Sequence, residues 1–222
     1  MVEGPQAVRE LLLHDPESVV DVFFTDVLAE RHPDIMKLAN SSPATVDEVS
    51  NNVLLAMADT VTPQGVIAVA RLREFGLGSL SKPKLVAICH EVRDPGNAGT
   101  VIRAADAAGA DAVIMTGDSV DLHNPKLVRS TTGSIFHLPI IEHHNLQDVV
   151  NAVRAEGMTV LFVEHDMHMV RHISDWVVVM AEGKIVAEGP PNEVMKNPAV
   201  IDAYLGAHHD SDLGADKIAK GK

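Results

Sequence analysis

The sequence predicts an α/β protein: a small N-terminal α/β domain, a linker, then a domain built on a mainly parallel sheet. Three observations carry this reading. From residue 85 onward, apolar runs of strand length alternate with helical segments, the pattern of a parallel sheet covered by helices. Within residues 1–72, shorter β-rich runs and helical spacings also alternate, so a smaller α/β unit comes first. Between them, "REFGLGSLSKPK" (Arg73–Lys84) holds two glycines, two serines and a proline with little periodicity, a linker composition.

The elements follow in order. "GPQAVRELLLH" places Val8, Leu11 and Leu12 at helical spacing. "SVVDVFFT" and "GVIAVARL" are rich in β-branched and aromatic residues and read as strands. "TVDEVSNNVLLAMA" opens on a threonine ahead of acidic residues, which predicts a helix start there. After the linker, "LVAICHEV" suits a buried parallel strand. Val101, Ile102, Ala105 and Ala108 give the next helix an apolar stripe. "DAVIMTG" is the second strand, "NPKLVRSTTG" a short helix closed by Gly133, and "IFHLPII" the third strand. "LQDVVNAVRAEG" is an amphipathic helix ending in glycine, and "MTVLFV" is expected to add a further strand to the sheet. The domain scheme is 1–72, linker 73–84, 85–157, then 158–207 completing the sheet, and a polar, aperiodic tail over 208–222 expected to be disordered.

Composition narrows the function classes. No apolar run approaches membrane-spanning length, and "MVEGPQAVRE" lacks the basic start and apolar stretch of a signal peptide. One cysteine, Cys89, excludes an internal disulfide framework, so a cytoplasmic location is expected. The net charge is −13, and no third of the chain is basic: Lys+Arg against Asp+Glu is 7 to 12 over 1–84, 5 to 9 over 85–157, and 6 to 10 over 158–222. A nucleic-acid binder relies on cations to neutralise phosphates, so RNA contact here has to come from a local patch. Arg93, Arg103, Lys126 and Arg129 are the dense candidates.

The stretch "DPGNAGTVIRAADAAGADAVI" closely resembles the first motif of the SpoU family of RNA ribose 2′-O-methyltransferases, members of the knotted SPOUT superfamily. The resemblance continues through "NPKLVRSTTGSIFHLPI". It also extends back to "VEGPQAVRELL" and "TVTPQGVIAVARL", which resemble that family's N-terminal substrate-binding domain, so it covers about residues 2–160. It implies S-adenosylmethionine as cofactor, rRNA or tRNA as substrate, and a homodimer formed beside the knot. It also implies that Arg103 sits at the reacting hydroxyl and that Asn97 orders the loop and the ribose or phosphate. Gly99, Arg93, Lys126, Arg129 and Ser130 are implied on the substrate side. A guanidinium is nearly always charged, so a phosphate or oxyanion partner is an easier role for Arg103 than general base. Read without the resemblance, Asn97 is equally a helix cap and Arg103 a solvated helix arginine.

Two segments that family members carry next, a Gly-x-Glu-x-x-Gly-Leu run and a Ser-Leu-Asn-Val-Ser-like run, are not in this sequence. In the family these form the knot and most of the cofactor pocket, so an incomplete knot, impaired turnover and unassigned cofactor-binding residues are expected. Instead, "MTVLFVEHDMHMVRHISDWVVVMAEGKIVAEGPPNEVMKNPAVIDAYLG" resembles the C-terminal end of ABC-transporter ATPases of the branched-chain amino-acid type, over about residues 157–207. By that resemblance His165 is a vestigial γ-phosphate sensor. The chain has no G-x-x-x-x-G-K-[ST] loop to cradle phosphates, so ATP hydrolysis and pairing with transporter subunits are not expected. His165, His168 and His172 share a helical spacing, but without an acidic or cysteine partner at ligand distance no metal is assigned to them. Three readings stand: a methyltransferase, a non-catalytic hybrid that binds RNA or acts as a scaffold, and an ATPase-derived fragment.

Overall fold

The computed structural model describes residues 1–71, 73–162 and 167–202; side chains are described for all of these but 167–169. His165 and the tail from residue 208 lie outside the described residues, as does the side chain of His168. The chain divides into two compact units, 1–160 and 161–222.

The first unit opens with β1 (Val2–Glu3) and α1 (Pro5–His14), then β2 (Val19–Phe24), α2 (Asp26–Arg31) and α3 (Pro33–Ser41). After them come β3 (Thr45–Glu48), α4 (Asn51–Met57) and β4 (Val66–Ala70). Strand order is β1-β4-β2-β3, with β2 and β3 parallel and β4 antiparallel to both β1 and β2. Val8, Leu11 and Leu12 do form the buried face of α1, meeting Ile35 and Ala39 of α3 over Val22 and Ala68. The helix predicted from Thr45 starts later: Thr45–Glu48 pairs with β2, and Ser50 caps α4 by accepting from the Val53 N–H. A threonine before acids marks a helix only when the backbone has no parallel strand to join.

The second sheet holds β5 (Val86–His90), β6 (Ala112–Thr116) and β7 (Ile140–His143), all parallel, in that order. Between them lie α5 (Pro95–Ala107) and α6 (Pro125–Ser130), and α7 (Leu146–Ala155) follows β7. Every residue of β6 is buried. Val113 and Met115 face α5 and α6, while Ala112 and Ile114 face Val149 and Val153 of α7, the alternation of a strand covered on both sides. Ala98, Gly99, Ile102 and Ala105 make the buried face of α5. Ala108, assigned to that stripe by spacing, is the C-cap residue and is exposed, because the helix ends there. The third strand is shorter than "IFHLPII": Ser134–Phe136 is a single 3₁₀ turn.

The linker is partly built into this sheet. Phe75 makes a parallel bridge to Ile141 on β7, and Leu77 and Leu80 pack on the Ile114–Val149 core. Residues 158–162 belong to no strand, so the expected addition of "MTVLFV" to the sheet is not seen among the described residues. Met158 and Val160 bury their side chains partly in that core instead of pairing their backbones.

The second unit contains α8 (Met167–Ile173), the antiparallel pair β8 (Val177–Ala181) and β9 (Lys184–Gly189), α9 (Pro191–Val194) and α10 (Pro198–Val200). Val179, Val194 and Val200 form its own small core. Residues 158–207 were expected to complete the parallel sheet; the described strands among them form a separate two-stranded sheet. Two strands joined by the tight Glu182–Gly183 turn satisfy each other's backbone without a parallel neighbour. No described helix is long and apolar enough to cross a membrane.

Candidate active site

Of the residues singled out by the sequence, Asn97, Gly99 and Arg103 lie on α5 and Lys126, Arg129 and Ser130 on α6, two helices that pack against each other, while Arg93 lies in the loop before α5. Helix α5 starts where "DPGN" dictates: Asp94 accepts from the Asn97 N–H at 2.8 Å, and Pro95 occupies the first helical turn. The cap is thus Asp94 and not Asn97, a residue that sequence reasoning missed although Asp-Pro before an apolar helix is its usual signal. Asn97 lies in the first turn with its side chain exposed.

Arg103 sits six positions further along α5, about 9 Å up the axis. It is exposed, and no carboxylate among the described residues pairs with it. Lys126, in the first turn of α6, is exposed and likewise without an ion pair among them. The other two cations differ. Arg93 lies 3.2 Å from Asp118 and 3.7 Å from Glu91. Arg129 donates to Asp59 at 2.8 Å and lies 3.9 Å from Glu3, so its charge is directed onto the N-terminal half of the unit.

Gly99 and Ser130 do come together, as a packing contact. Gly99 is buried, and a Cβ there would stand 1.9 Å from Ser130 Oγ and 2.8 Å from Ser130 Cβ. Ser130 Oγ lies 2.9 Å from the Pro95 carbonyl oxygen and 2.8 Å from that of Leu127, so its single O–H is shared between these two acceptors. The glycine therefore admits α6 against α5, and the serine ties the first turn of α5 to the last turn of α6. This holds Asn97 and Arg103 on a rigid element with their side chains toward solvent, an arrangement suited to an extended polyanion and not to a small enclosed ligand.

Two cavities accompany this surface. One, about 110 Å³, lies between the halves of the first unit and is lined by Val2, Arg71, Phe75, Val128 and Phe136 among others. The second, about 450 Å³, is walled by Thr25, Arg31, His32, Gln64 and neighbours in the N-terminal half. Neither includes Asn97 or Arg103. Cys89, in β5 beneath α5, is buried, and desolvation pushes its thiol up to about 11, which makes it a core residue and not a nucleophile. The residues of another polar cluster, Glu10, His14 and His137, were not singled out from the sequence; the Glu-x-x-x-His spacing on α1 is its local signal.

Comparison with known proteins places these elements. Residues 84–187 match the SpoU rRNA methylase family, and residues 1–75 match the RNA 2′-O ribose methyltransferase substrate-binding family. A 23S rRNA guanosine 2′-O-methyltransferase of Bacillus subtilis is 41% identical over 112 residues, covering 50% of this chain and 44% of that protein. The mitochondrial rRNA methyltransferase 3 of Xenopus tropicalis is 30% identical over 98% of this chain and 52% of its own length. The chain thus spans about half the length of these relatives. An AdoMet-bound rRNA methyltransferase from Sinorhizobium meliloti superposes with a TM-score of 0.59 at 29% identity, covering 70% of this chain and 57% of that one. A branched-chain amino acid ATP-binding cassette transporter family matches residues 184–210 alone, a shorter stretch than the 157–207 expected, and the SpoU match runs on to 187 instead of ending near 160. Both halves of the first unit are thus matched by models of a single methyltransferase system, and the chain is similar to the SpoU rRNA methylase family over residues 84–187 and to its substrate-binding partner family over residues 1–75.

Proposed function

We propose that this chain is an RNA ribose 2′-O-methyltransferase that uses S-adenosylmethionine, with the exposed face of α5 as its ribose-facing surface and with slow turnover. The observation that carries the reading is Arg103: a cation without a carboxylate partner among the described residues, on a helix locked by the Gly99–Ser130 contact, inside the stretch that matches the family. Its charge stabilises a 2′-oxyanion or an adjacent phosphate, and Asn97 positions the sugar from the first turn of the same helix. Lys126 contributes a further phosphate contact. S-adenosylmethionine supplies the electrophilic methyl group. Neither described cavity borders Arg103, so no cofactor-contacting residue is assigned.

Slow turnover is proposed because the family's cofactor-pocket segments are replaced in the sequence, and residues 158–162 form no strand beside β7. The match over 184–210 and the separate β8–β9 unit support a hybrid origin, with the C-terminal segment derived from a transporter ATPase. Without a phosphate-binding loop in the chain, that segment hydrolyses no ATP.

The test is transfer of a labelled methyl group from S-adenosylmethionine to ribosomal RNA, read as alkali-resistant dinucleotide. Incorporation by the native chain and its loss in Arg103→Ala supports the proposal. Absence of calorimetric heat at millimolar S-adenosylmethionine, with RNA binding retained, would establish a non-catalytic RNA-binding protein instead.

A further inference from the structure

Glu10, His14 and His137 converge on one point between α1 and the segment that leads into β7. Glu10 Oε2 lies 3.5 Å from His14 Nε2 and 3.1 Å from His137 Nε2, while Glu10 Oε1 accepts from Gln6 Nε2 at 2.7 Å. One potential ligand atom from each of Glu10, His14 and His137 lies within 4.8 Å of the others. On the far side of the His137 ring, Nδ1 is 2.8 Å from Asp106 Oδ2 at the end of α5.

This arrangement offers a cation three ligand atoms at one point. A neutral imidazole has one N–H, and His137 has a carboxylate at each nitrogen. With Nδ1 held by Asp106, Nε2 faces the same point as Glu10 Oε2 and is placed to serve as a ligand atom there. The spacing suits a metal: zinc bonds of about 2.0–2.2 Å in tetrahedral array separate ligand atoms by roughly 3.3–3.5 Å. The carboxylate–histidine–metal order, with Asp106 behind His137, is the usual outer-shell device that sets tautomer and ring orientation.

The site is also held in place before any ion arrives. His14 follows Glu10 by four residues, which puts both on one face of α1. Gly133 has φ +106°, and a Cβ there would stand 2.4 Å from Glu10 Cγ, so the turn after α6 closes directly on Glu10. The His14 side chain is 46% exposed, leaving the fourth position to solvent.

We propose that Glu10, His14 and His137 form a zinc-class divalent metal site, oriented by Asp106, that clamps the N-terminal half of the first unit to the half carrying α5. In it the ion replaces the direct contact between His137 Nε2 and Glu10 Oε2. No redox step is involved, and the site is separate from the methyl-transfer reading.

The experiment is a zinc titration of the metal-free full chain against a chromophoric chelator, with His14→Gln, His137→Gln and the double variant in parallel. Cobalt absorption serves as a second readout. One zinc per chain is expected, weakened at least tenfold by each single substitution, with visible cobalt bands in the native protein that the double variant lacks. Zinc should raise the native melting temperature, and that of His14→Gln by less at the same zinc concentration. His14→Gln alters an exposed ring, so it reports even if His137→Gln fails to fold. Failure of the native chain to take up zinc, or binding unchanged in the double variant and so carried by other histidines, would overturn the proposal.

Discussion

Gly99 and Ser130 occupy the same space across the α5–α6 contact: a methyl group on the glycine would fall 1.9 Å from the serine hydroxyl oxygen. That hydroxyl is bonded to the Pro95 carbonyl, so moving it aside costs a hydrogen bond. The contact sets the position of α5 and, through it, of Arg103.

Gly99→Ala is expected to destabilise the fold by about 1–3 kcal/mol, the usual cost of overpacking. Ser130→Gly in the same chain should recover part of that loss, giving a coupling of at least about 0.5 kcal/mol. Urea denaturation of the four members of the cycle measures it; strict additivity would show that the two residues are not in contact.

The four cations should separate in RNA binding. Arg103→Ala and Lys126→Ala each remove a charge without a carboxylate partner among the described residues. Each should weaken affinity and lower the slope of log K against log salt by about 0.9 for a duplex segment, or about 0.7 for single-stranded RNA. Arg129→Ala, whose charge is engaged by Asp59 and Glu3, should change that slope little and instead cost stability of about 0.5–1.5 kcal/mol. Filter binding across a salt series reads the first effect and thermal melting the second.

Cys89 provides an alkaline test. Burial pushes its thiol up to about 11, whereas an unfolded cysteine stays near 9.0. Between those values the unfolded chain has released a proton that the native chain keeps, so stability is full below pH 9 and falls by about 2–3 kcal/mol by pH 11. Cys89→Ala should flatten this limb of the pH–stability curve. The native thiol should react with a thiol reagent only as fast as the chain opens.

The acid limb is expected to depend on Asp111 and Asp34. Hydrogen bonds from the Leu85 and Lys84 N–H groups hold the Asp111 carboxyl below its ordinary range, and the Arg9 side chain does the same for Asp34. Both are stabilising above the ordinary carboxylate pKa, and the contribution is lost as pH falls through the lowered native values. Asp111→Asn should reduce the steepness of acid unfolding, and amide exchange should quicken at Lys84 and Leu85, where the linker enters β5.

The divide between what sequence determines and what folding decides shows at particular residues. Periodicity marked α1 through Val8, Leu11 and Leu12, and apolar runs marked β5 and β6 as strands, because both signals arise within a few neighbours along the chain. That β6 and not β5 is the fully buried one depended on its place between two neighbours. The Asn97–Arg103 stretch and its family were likewise legible, since a motif is a local string. Thr45 was misread for the opposite reason: whether it caps a helix or joins a strand depended on β2, more than twenty residues away. The same holds for Arg129, whose partners are residues 3 and 59, and for His137, flanked by residues 10 and 106. By itself, then, the sequence determined α1, α5, α6 and α7, the strands β2, β4, β5 and β6, and the family motif of this protein. Which cations stayed unpaired, why Gly99 must be glycine and where two histidines meet a glutamate were decided only by the tertiary structure, because charge pairing and close packing act between segments that the chain separates and the fold brings together.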